Sequence, residues 1–207
     1  MTVKMILAVD EGNAIGWEDG SLLWKIPADM KRFKELTTGH DVLMGWKTFI
    51  SLKRPHGLPN RTNHILTRKS YAECAPFLGV DAAKVHEFTN SPARWLTLPQ
   101  EIRVTDTFQD YVRAHQEVLG GKPKDLWIIG GAEVYMQAIV HKLVDEIYVT
   151  RVAMRSGASV RLPFDLYDIE KFIDHQDAYG VQWTMHERMV QKQDDLSFDF
   201  TTLKKTQ

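Results

Sequence analysis

The sequence predicts a single α/β domain with a mixed, mostly parallel central sheet flanked by helices and a C-terminal antiparallel hairpin. Three observations predict this fold. Short apolar segments that end in Gly or Asp alternate with helical patterns as far as residue 152. Two long alternating segments then follow, 181–191 and 196–203, with turn residues between them. The 207 residues contain no linker-like tract, so we predict one domain over residues 1–207.

The first half of the chain is predicted to alternate strands with helices. Val3–Val9 is a short apolar run that ends at a polar, Gly-containing turn, which predicts a buried strand. Pro27 suits the first position of a helix and Gly39 suits the position after its end, so we predict a helix over 27–38. The next elements are a strand at Asp41–Met44, a short helix from Trp46 or Lys47 to about Lys53, and a strand at Thr62–Thr67.

The second half begins with an expanded loop region, residues 69–105, where prolines interrupt any regular pattern. The alternation then resumes, and helices between strands are typical crossover connections of a parallel sheet. The predicted elements are a helix at Phe108–Leu119, a strand at Leu126–Ile129, a helix at Ala132–Lys142 and a strand at Glu146–Val152.

The composition excludes several classes of protein. It is 43% hydrophobic and 26% charged, as in an ordinary globular protein. The net charge of −1 gives no positive electrostatic potential that would attract nucleic acid or an anionic membrane. One cysteine, Cys74, allows neither an internal disulfide nor a cysteine metal cluster, and the eight histidines show no ligand spacing. No segment is long and apolar enough for a membrane span. We therefore expect a cytoplasmic protein without a metal site.

Asp29 is the most informative single residue, because a carboxylate among apolar residues is seldom buried unless it is paired or functional. Asp29 and Phe33 share one helix face, with Met30 on its flank. Two interpretations stay open from this segment alone. The face is a pocket wall with one polar anchor, or Asp29 merely sits in the first helical turn, where the helix dipole favours an acid.

Three strand ends carry residues that suit phosphate groups. Gly130-Gly131 separates a strand from a helix, Gly45 precedes Lys47 and Thr48, and Thr67-Arg68-Lys69 closes a third strand. Each alone is equally typical of a tight turn or of solvated cations. Together, at the carboxyl ends of parallel strands, they predict a phosphorylated cofactor.

The sequence resembles the dihydrofolate reductase family. The matching segments occur in the family's order across most of 3–68 and 126–152. They are Ala8-Val9-Asp10 with Ala14-Ile15-Gly16, the run from Leu23 to Asp29, Phe33, Met44-Gly45-Trp46-Lys47-Thr48, Arg54-Pro55, Asn60-Arg61, Ile65-Leu66-Thr67, the run from Ile129 to Tyr135, and Tyr148-Val149-Thr150.

The resemblance implies an enzyme that reduces 7,8-dihydrofolate to 5,6,7,8-tetrahydrofolate with NADPH, by hydride transfer to pterin C6 and protonation at N5. It implies that Asp29 is the pterin-binding acid, that the Thr150 hydroxyl joins its hydrogen bonds, and that Trp24 anchors an ordered water beside it. Arg61 would bind the folate α-carboxylate, for which a bidentate fork is suited. Lys47, Thr48, Thr67 and Arg68 would hold the cofactor phosphates, and the 2′-phosphate is the reason to expect NADPH rather than NADH.

The full sets implied by the resemblance are as follows. The substrate site is Ile6, Ala8, Asp29, Met30, Phe33, Ser51, Leu52, Arg54, Arg61, Ile129, Tyr135 and Thr150. The cofactor site is Ala8, Ile15, Gly16, Asp19, Gly20, Gly45, Trp46, Lys47, Thr48, Leu66, Thr67, Arg68, Ile129, Gly130, Gly131, Ala132, Glu133, Val134 and Tyr135. A cis peptide is implied between Gly130 and Gly131. The active-site loop implied by the resemblance is Trp17–Leu23, and the segment Ser156–Pro163 lacks the Gly-Asp pair that is usual in the family opposite this loop.

Other functions remain open alongside this one. A deazaflavin-type or riboflavin-pathway pyrimidine reductase would share the NADPH half but not the set Trp24, Asp29 and Arg61. A non-catalytic folate-binding or structural protein belongs to a different class, although every expected chemical position is filled. A thymidylate synthase fused downstream is not expected, because the sequence as given ends at Gln207. We expect a monomer whose only partners are small molecules.

Overall fold

The computed structural model describes residues 2–69, 71–78, 96–98, 102–105, 124–174 and 180–206. The helices in these ranges are α1 (Pro27–Thr37), α2 (Trp46–Ser51), α3 (Tyr71–Leu78), α4 (Ala132–Val140) and α5 (Ile169–Asp174). The strands are β1 (Val3–Asp10), β2 (Ala14–Gly16), β3 (Asp41–Gly45), β4 (Thr62–Leu66), β5 (Leu96–Leu98), β6 (Ile102–Thr105), β7 (Leu126–Gly130), β8 (Glu146–Val152), β9 (Val160–Arg161), β10 (Trp183–Gln193) and β11 (Leu196–Lys205).

Nine of these described strands form one sheet in the order β10-β11-β8-β1-β7-β3-β4-β6-β5. The run from β8 to β6 is parallel throughout, whereas the hairpin β10–β11 adds to one side and β5 to the other in antiparallel fashion. The predicted fold class is therefore confirmed. Among the helices described, none has the length and apolar character that a membrane span requires.

The central strand β1 separates two layers of the core. Met5 and Val9 pack into the larger cluster together with α4 and α5, and Ile6 packs into the cluster on the opposite face. Both faces are covered because the crossover helices of parallel strands lie against them. This is why β1 reads as a continuous apolar run rather than as an alternating one.

Several element boundaries differ from the prediction. Helix α1 ends at Thr37, α2 at Ser51 and α4 at Val140, each one or two residues before the predicted end. The last turn of a helix often frays, so local patterns fix such ends poorly. Strand β10 begins at Trp183 instead of residue 181. The expanded region contains α3, β5 and β6, while the predicted helix Phe108–Leu119 lies outside the described residues.

An unpredicted two-stranded ribbon joins β2 to β9, with Ala14 opposite Arg161 and Gly16 opposite Val160. Strands of two or three residues are too short to show a period. Because β9 lies in the segment Ser156–Pro163, this segment pairs with β2, the strand directly before the active-site loop, although the usual Gly-Asp pair is missing.

The Asp10 carboxylate fastens the same two segments to each other. Its side chain accepts hydrogen bonds from the backbone N–H groups of Gly12 and Ala14, each at 2.8 Å. It also accepts from the N–H and the hydroxyl of Ser156, at 2.7 and 2.6 Å. Burial alone would raise the pKa of Asp10, but these hydrogen bonds outweigh it and hold the pKa below its usual value.

We expect Asp10→Asn to lower the free energy of unfolding by about 1–3 kcal/mol at neutral pH, because an amide nitrogen would face buried N–H donors. The stability that Asp10 contributes is present above the pKa of the unfolded carboxyl, about 3.9, and is lost as the pH falls through the lower folded value. Urea unfolding at neutral and strongly acidic pH should therefore show a difference between wild type and variant that shrinks in acid. Asp19→Asn, at an exposed carboxylate that accepts from Ser21, is the matched control and should change little. An equal loss of unfolding free energy at both pH values would contradict a stabilising role of the charged Asp10 carboxylate.

Candidate active site

The carboxyl ends of β1, β3, β4 and β7 open onto a cavity of about 1960 Å³. This is the edge at which parallel α/β sheets bind ligands. Typical small-molecule pockets have volumes of roughly 300–1,000 Å³, so the cavity has room for two ligands side by side. Its lining combines charged and polar side chains with apolar ones, and the apolar ones include Ile6, Leu52 and Ile129.

Asp29 stands at one end of this cavity, in the first turn of α1. Pro27 begins the helix after the buried residue Ile26, and this places the Asp29 carboxylate toward the sheet. Its Oδ1 accepts a hydrogen bond of 2.6 Å from the hydroxyl of Thr150 on β8. Burial raises the pKa of Asp29, whereas the Thr150 hydroxyl and the charge of Arg32 lower it, and the net pKa lies above the usual value.

Arg61 forms a cationic wall of the cavity near α1. Its side chain is only 5% exposed, and its guanidinium lies 5.8 Å from the ring of Phe33. Nη1 donates to the hydroxyl of Thr37 at 2.9 Å and Nε donates to the carbonyl of Pro59 at 3.0 Å. Among the described residues, none accepts a hydrogen bond from Nη2. The guanidinium is thus fixed in place with donor capacity left over for a ligand.

The opposite end of the cavity is built where two glycines precede helices. A Cβ atom on Gly45 would lie 3.2 Å from Val134 Cγ2, and one on Gly131 would lie 3.3 Å from Thr48 Oγ1. Both contacts are tight, so a larger residue at either position would require the neighbouring side chain to shift by a few tenths of an ångström. The peptide between Gly130 and Gly131 is cis, as predicted. The side chains of Lys47, Thr48, Thr67 and Arg68 line this end.

A model of the family named dihydrofolate reductase matches residues 2–205 of the chain. The dihydrofolate reductase of Haemophilus influenzae is 30% identical over 193 residues, which cover 88% of this chain and 96% of that protein. The chain belongs to the dihydrofolate reductase family. This membership confirms the predicted family and enzyme class, an oxidoreductase that uses NADPH to reduce dihydrofolate.

Two further relatives of this dihydrofolate reductase family extend the comparison. A bifunctional dihydrofolate reductase-thymidylate synthase of Paramecium tetraurelia is 25% identical over 185 residues, or 88% of this chain, which spans only 33% of that longer protein. The solved structure of an Enterococcus faecalis dihydrofolate reductase complexed with NADP(H) and RAB-propyl superimposes with a TM-score of 0.68. It covers 100% of this chain and 97% of its own at 20% identity, and it shows the shared fold.

Nearly all of the site residues expected from the dihydrofolate reductase resemblance line the cavity, including Trp24 and Arg54. Two of them do not. Thr150 is 1% exposed and lies behind Asp29, so it reaches the cavity only through that carboxylate. Asp19 lies in the active-site loop, where its carboxylate accepts from Ser21, whereas the adjacent Gly20 does line the cavity. Tyr135 also lines the cavity, but its hydroxyl already donates a hydrogen bond of 2.8 Å to the carbonyl of Ile6.

The cavity also has lining residues that sequence reasoning missed. Lys31 and Lys34 lie on the Asp29 helix, and helical spacing from Met30 and Phe33 could have found them. The others belong to loops or neighbouring elements whose approach carries no local signal. They are Leu7, Trp17, Glu18, Ser21, Leu22, Leu23, Leu58, Pro59, Glu73, Gln137 and Val160. Lys69 also lines the cavity, and it belongs to the predicted cationic strand end Thr67-Arg68-Lys69.

Proposed function

We propose that this chain reduces 7,8-dihydrofolate to 5,6,7,8-tetrahydrofolate, with Asp29 as the acid that binds the pterin. The observation that carries the proposal is a carboxylate whose pKa is raised by burial, held by Thr150 at 2.6 Å, at one end of a cavity with room for two ligands. Perturbed acids in such cavities are typical of proton chemistry. The cavity would hold the pterin ring of the substrate and the nicotinamide ring of the cofactor against each other.

At the substrate end, the Asp29 carboxylate would accept hydrogen bonds from the pterin 2-amino and N3 groups and favour the protonated, electrophilic pterin. The indole N–H of Trp24 is a donor only, and it would hold a water beside the pterin. Met30 and Phe33 would cover the rings from α1. The fixed guanidinium of Arg61 would bind the α-carboxylate at the far end of the substrate.

At the cofactor end, the residues fit a dinucleotide phosphate. Gly45 and Gly131 lie close together, where an added Cβ would make tight contacts with Val134 and Thr48. Lys47 and Thr48 would bind the pyrophosphate beside these glycines. Thr67 and Arg68 would bind the 2′-phosphate. When bound there, NADPH supplies the hydride, and the protein supplies alignment and charge.

The activity is tested by following the loss of reduced-nicotinamide absorbance with dihydrofolate as the substrate. We expect turnover with NADPH, weaker turnover with NADH, and none with a pyrimidine substrate of the riboflavin pathway. Turnover of the pyrimidine but not of dihydrofolate would replace this proposal by the alternative reductase on the same sheet. Binding of both ligands with no turnover would instead indicate a folate-binding protein.

Arg68→Ala is expected to weaken NADPH binding while NADH binding stays almost unchanged, because only NADPH carries the 2′-phosphate. A hydrogen bond to a charged group is worth about 1.5–3 kcal/mol, so the NADPH/NADH discrimination should fall roughly ten- to a hundredfold. Dissociation constants for both cofactors, measured by fluorescence titration, provide the check. Lys69 lies next along the chain and lines the cavity as well, so the double variant with Lys69→Ala is needed. An unchanged ratio in the double variant would place the 2′-phosphate elsewhere.

We also propose that residues 1–207 act as one domain and as a cytoplasmic monomer. Support comes from the cavity, whose lining in the described ranges combines side chains from both halves of one chain. The buried Cys74, with its pKa raised by burial to about 11, is also an inert thiol that suits a reducing compartment. A molar mass of twice the chain from light scattering would contradict the monomer.

A further inference from the structure

Arg32 lies on α1, three residues after Asp29, on a side of the helix that faces the sheet rather than the cavity. Its guanidinium carbon stands 4.6 Å from the ring centre of Phe200 on β11 and 5.4 Å from that of Tyr148 on β8. Nη2 reaches the hydroxyl of Thr202 at 3.5 Å. Two aromatic faces therefore hold this cation against the sheet.

This cation is poorly compensated where it lies. Its Nη1 is buried, and it has no hydrogen-bond partner in the part of the chain that the structure describes. Within that same part, no carboxylate makes an ion-pair contact with Arg32. Arg32 is half-buried and has ring and hydroxyl contacts but no ion-pair contact, so acids at longer range contribute to the stabilisation of its charge.

The titratable groups whose charges act on Arg32 lie on three elements. They are Asp29 on its own helix, Tyr148 on β8 and Glu187 on β10. The Tyr148 hydroxyl is a donor to Glu146 at 2.8 Å, so it is neutral. Of the two acids, Asp29 is the one that lines the cavity.

We propose that Arg32 is a positioning residue for the reaction. Because Asp29 and Arg32 are neighbours three positions apart on α1, the Arg32 cation attracts the Asp29 carboxylate and keeps it in its charged form. The inference rests on the proposed function of Asp29. Burial works against the charged carboxylate, and the Thr150 hydroxyl and the Arg32 charge work for it. Without the Arg32 cation, burial would favour the protonated form of Asp29 more strongly. The pterin would then more often bind next to a neutral carboxyl group.

The competing role for Arg32 is packing alone, since its stem covers the rings of Phe200 and Tyr148. Arg32→Met separates the two roles, because methionine keeps an unbranched apolar stem and removes the charge. Arg32→Lys keeps the positive charge but carries it on an ammonium group instead of a planar guanidinium. Arg188→Met on β10 is the matched control, because Arg188 pairs with Asp199 and is not among the groups that act on Asp29.

The direct experiment titrates the Asp29 carboxyl by NMR in protein labelled with ¹³C-aspartate, with Asp29→Asn to assign the resonance. We expect the pKa of Asp29 to rise by about one pH unit in Arg32→Met, a typical effect of losing a nearby cation. It should rise less in Arg32→Lys and stay unchanged in Arg188→Met. An unchanged pKa in folded Arg32→Met would overturn the proposal. If that variant does not fold, Arg32→Gln replaces it and the same criterion applies.

The kinetic experiment measures the pH dependence of kcat/KM for dihydrofolate in the same variants. Its apparent pKa should move with the NMR value in Arg32→Met, and Arg32→Met should cause no shift in an Asp29→Asn background. A shift by NMR without one in the rate profile would refute the role of Asp29 in the reaction while the coupling to Arg32 stands. A shift in neither would refute the coupling itself.

Discussion

Asp29→Asn is expected to lower kcat/KM for dihydrofolate by about 10²–10⁴-fold near neutral pH, the range for the loss of an acid–base group. Asparagine keeps the shape of the side chain and can still accept from Thr150, but it has no negative charge to favour the protonated pterin. The loss should shrink as the pH falls, because solvent then protonates the substrate. Steady-state rates from acidic to neutral pH provide the measurement, and near-wild-type turnover at neutral pH would contradict the role of Asp29.

The same variant should not be less stable than wild type at neutral pH. Because the folded pKa of Asp29 is raised, the native state binds its proton more tightly than the unfolded chain does. Stability linked to Asp29 is therefore greatest below the unfolded pKa and is lost as the pH rises through the folded value. Asparagine avoids that loss, as is common where function costs stability. Glu35→Gln, at an exposed acid on the same helix paired with Lys31, is the control and should change neither activity nor stability.

Arg61→Ala is expected to weaken dihydrofolate binding by about 2–5 kcal/mol, the typical cost of removing one partner of a buried charged hydrogen bond. NADPH binding should change little, because Arg61 lies at the substrate end with Phe33 and Pro59. Calorimetric titration of the folded variant with each ligand gives both values. The variant should also lose stability, since Arg61 links Thr37 on α1 to the loop before β4.

A substrate without the glutamate tail separates the two roles of Arg61. Small pterins that lack the carboxylate should be reduced as well by Arg61→Ala as by the wild type, at a temperature where both are folded. Equal damage to both substrates would make Arg61 a structural residue. Arg61→Lys keeps the charge but loses the fork, so it should recover only part of the affinity.

The site shows where sequence reasoning stopped. The segment around Asp29 left two interpretations open, a functional acid or an ordinary first-turn residue. The structure adds the hydroxyl of Thr150, 121 positions along the chain, and a cavity in front of the carboxylate. The family resemblance alone predicts Arg61 as a site residue, and the structure adds its burial, its hydrogen bond to Thr37 and its place in the cavity lining. The role of Asp29 in turnover stays a prediction until it is tested.

The sequence by itself determined the alternation of strands and helices, the parallel centre of the sheet and the C-terminal hairpin. These features follow from local periodicity and from residues such as Pro27 and Gly45 that act on their own stretch of backbone. Only the tertiary structure decided that Asp10 binds Ser156, 146 positions away, that β2 pairs with β9, and that Arg32 lies between two rings. The physical reason is that the energy of these contacts comes from partners remote in the chain, so no local window of sequence carries a trace of them.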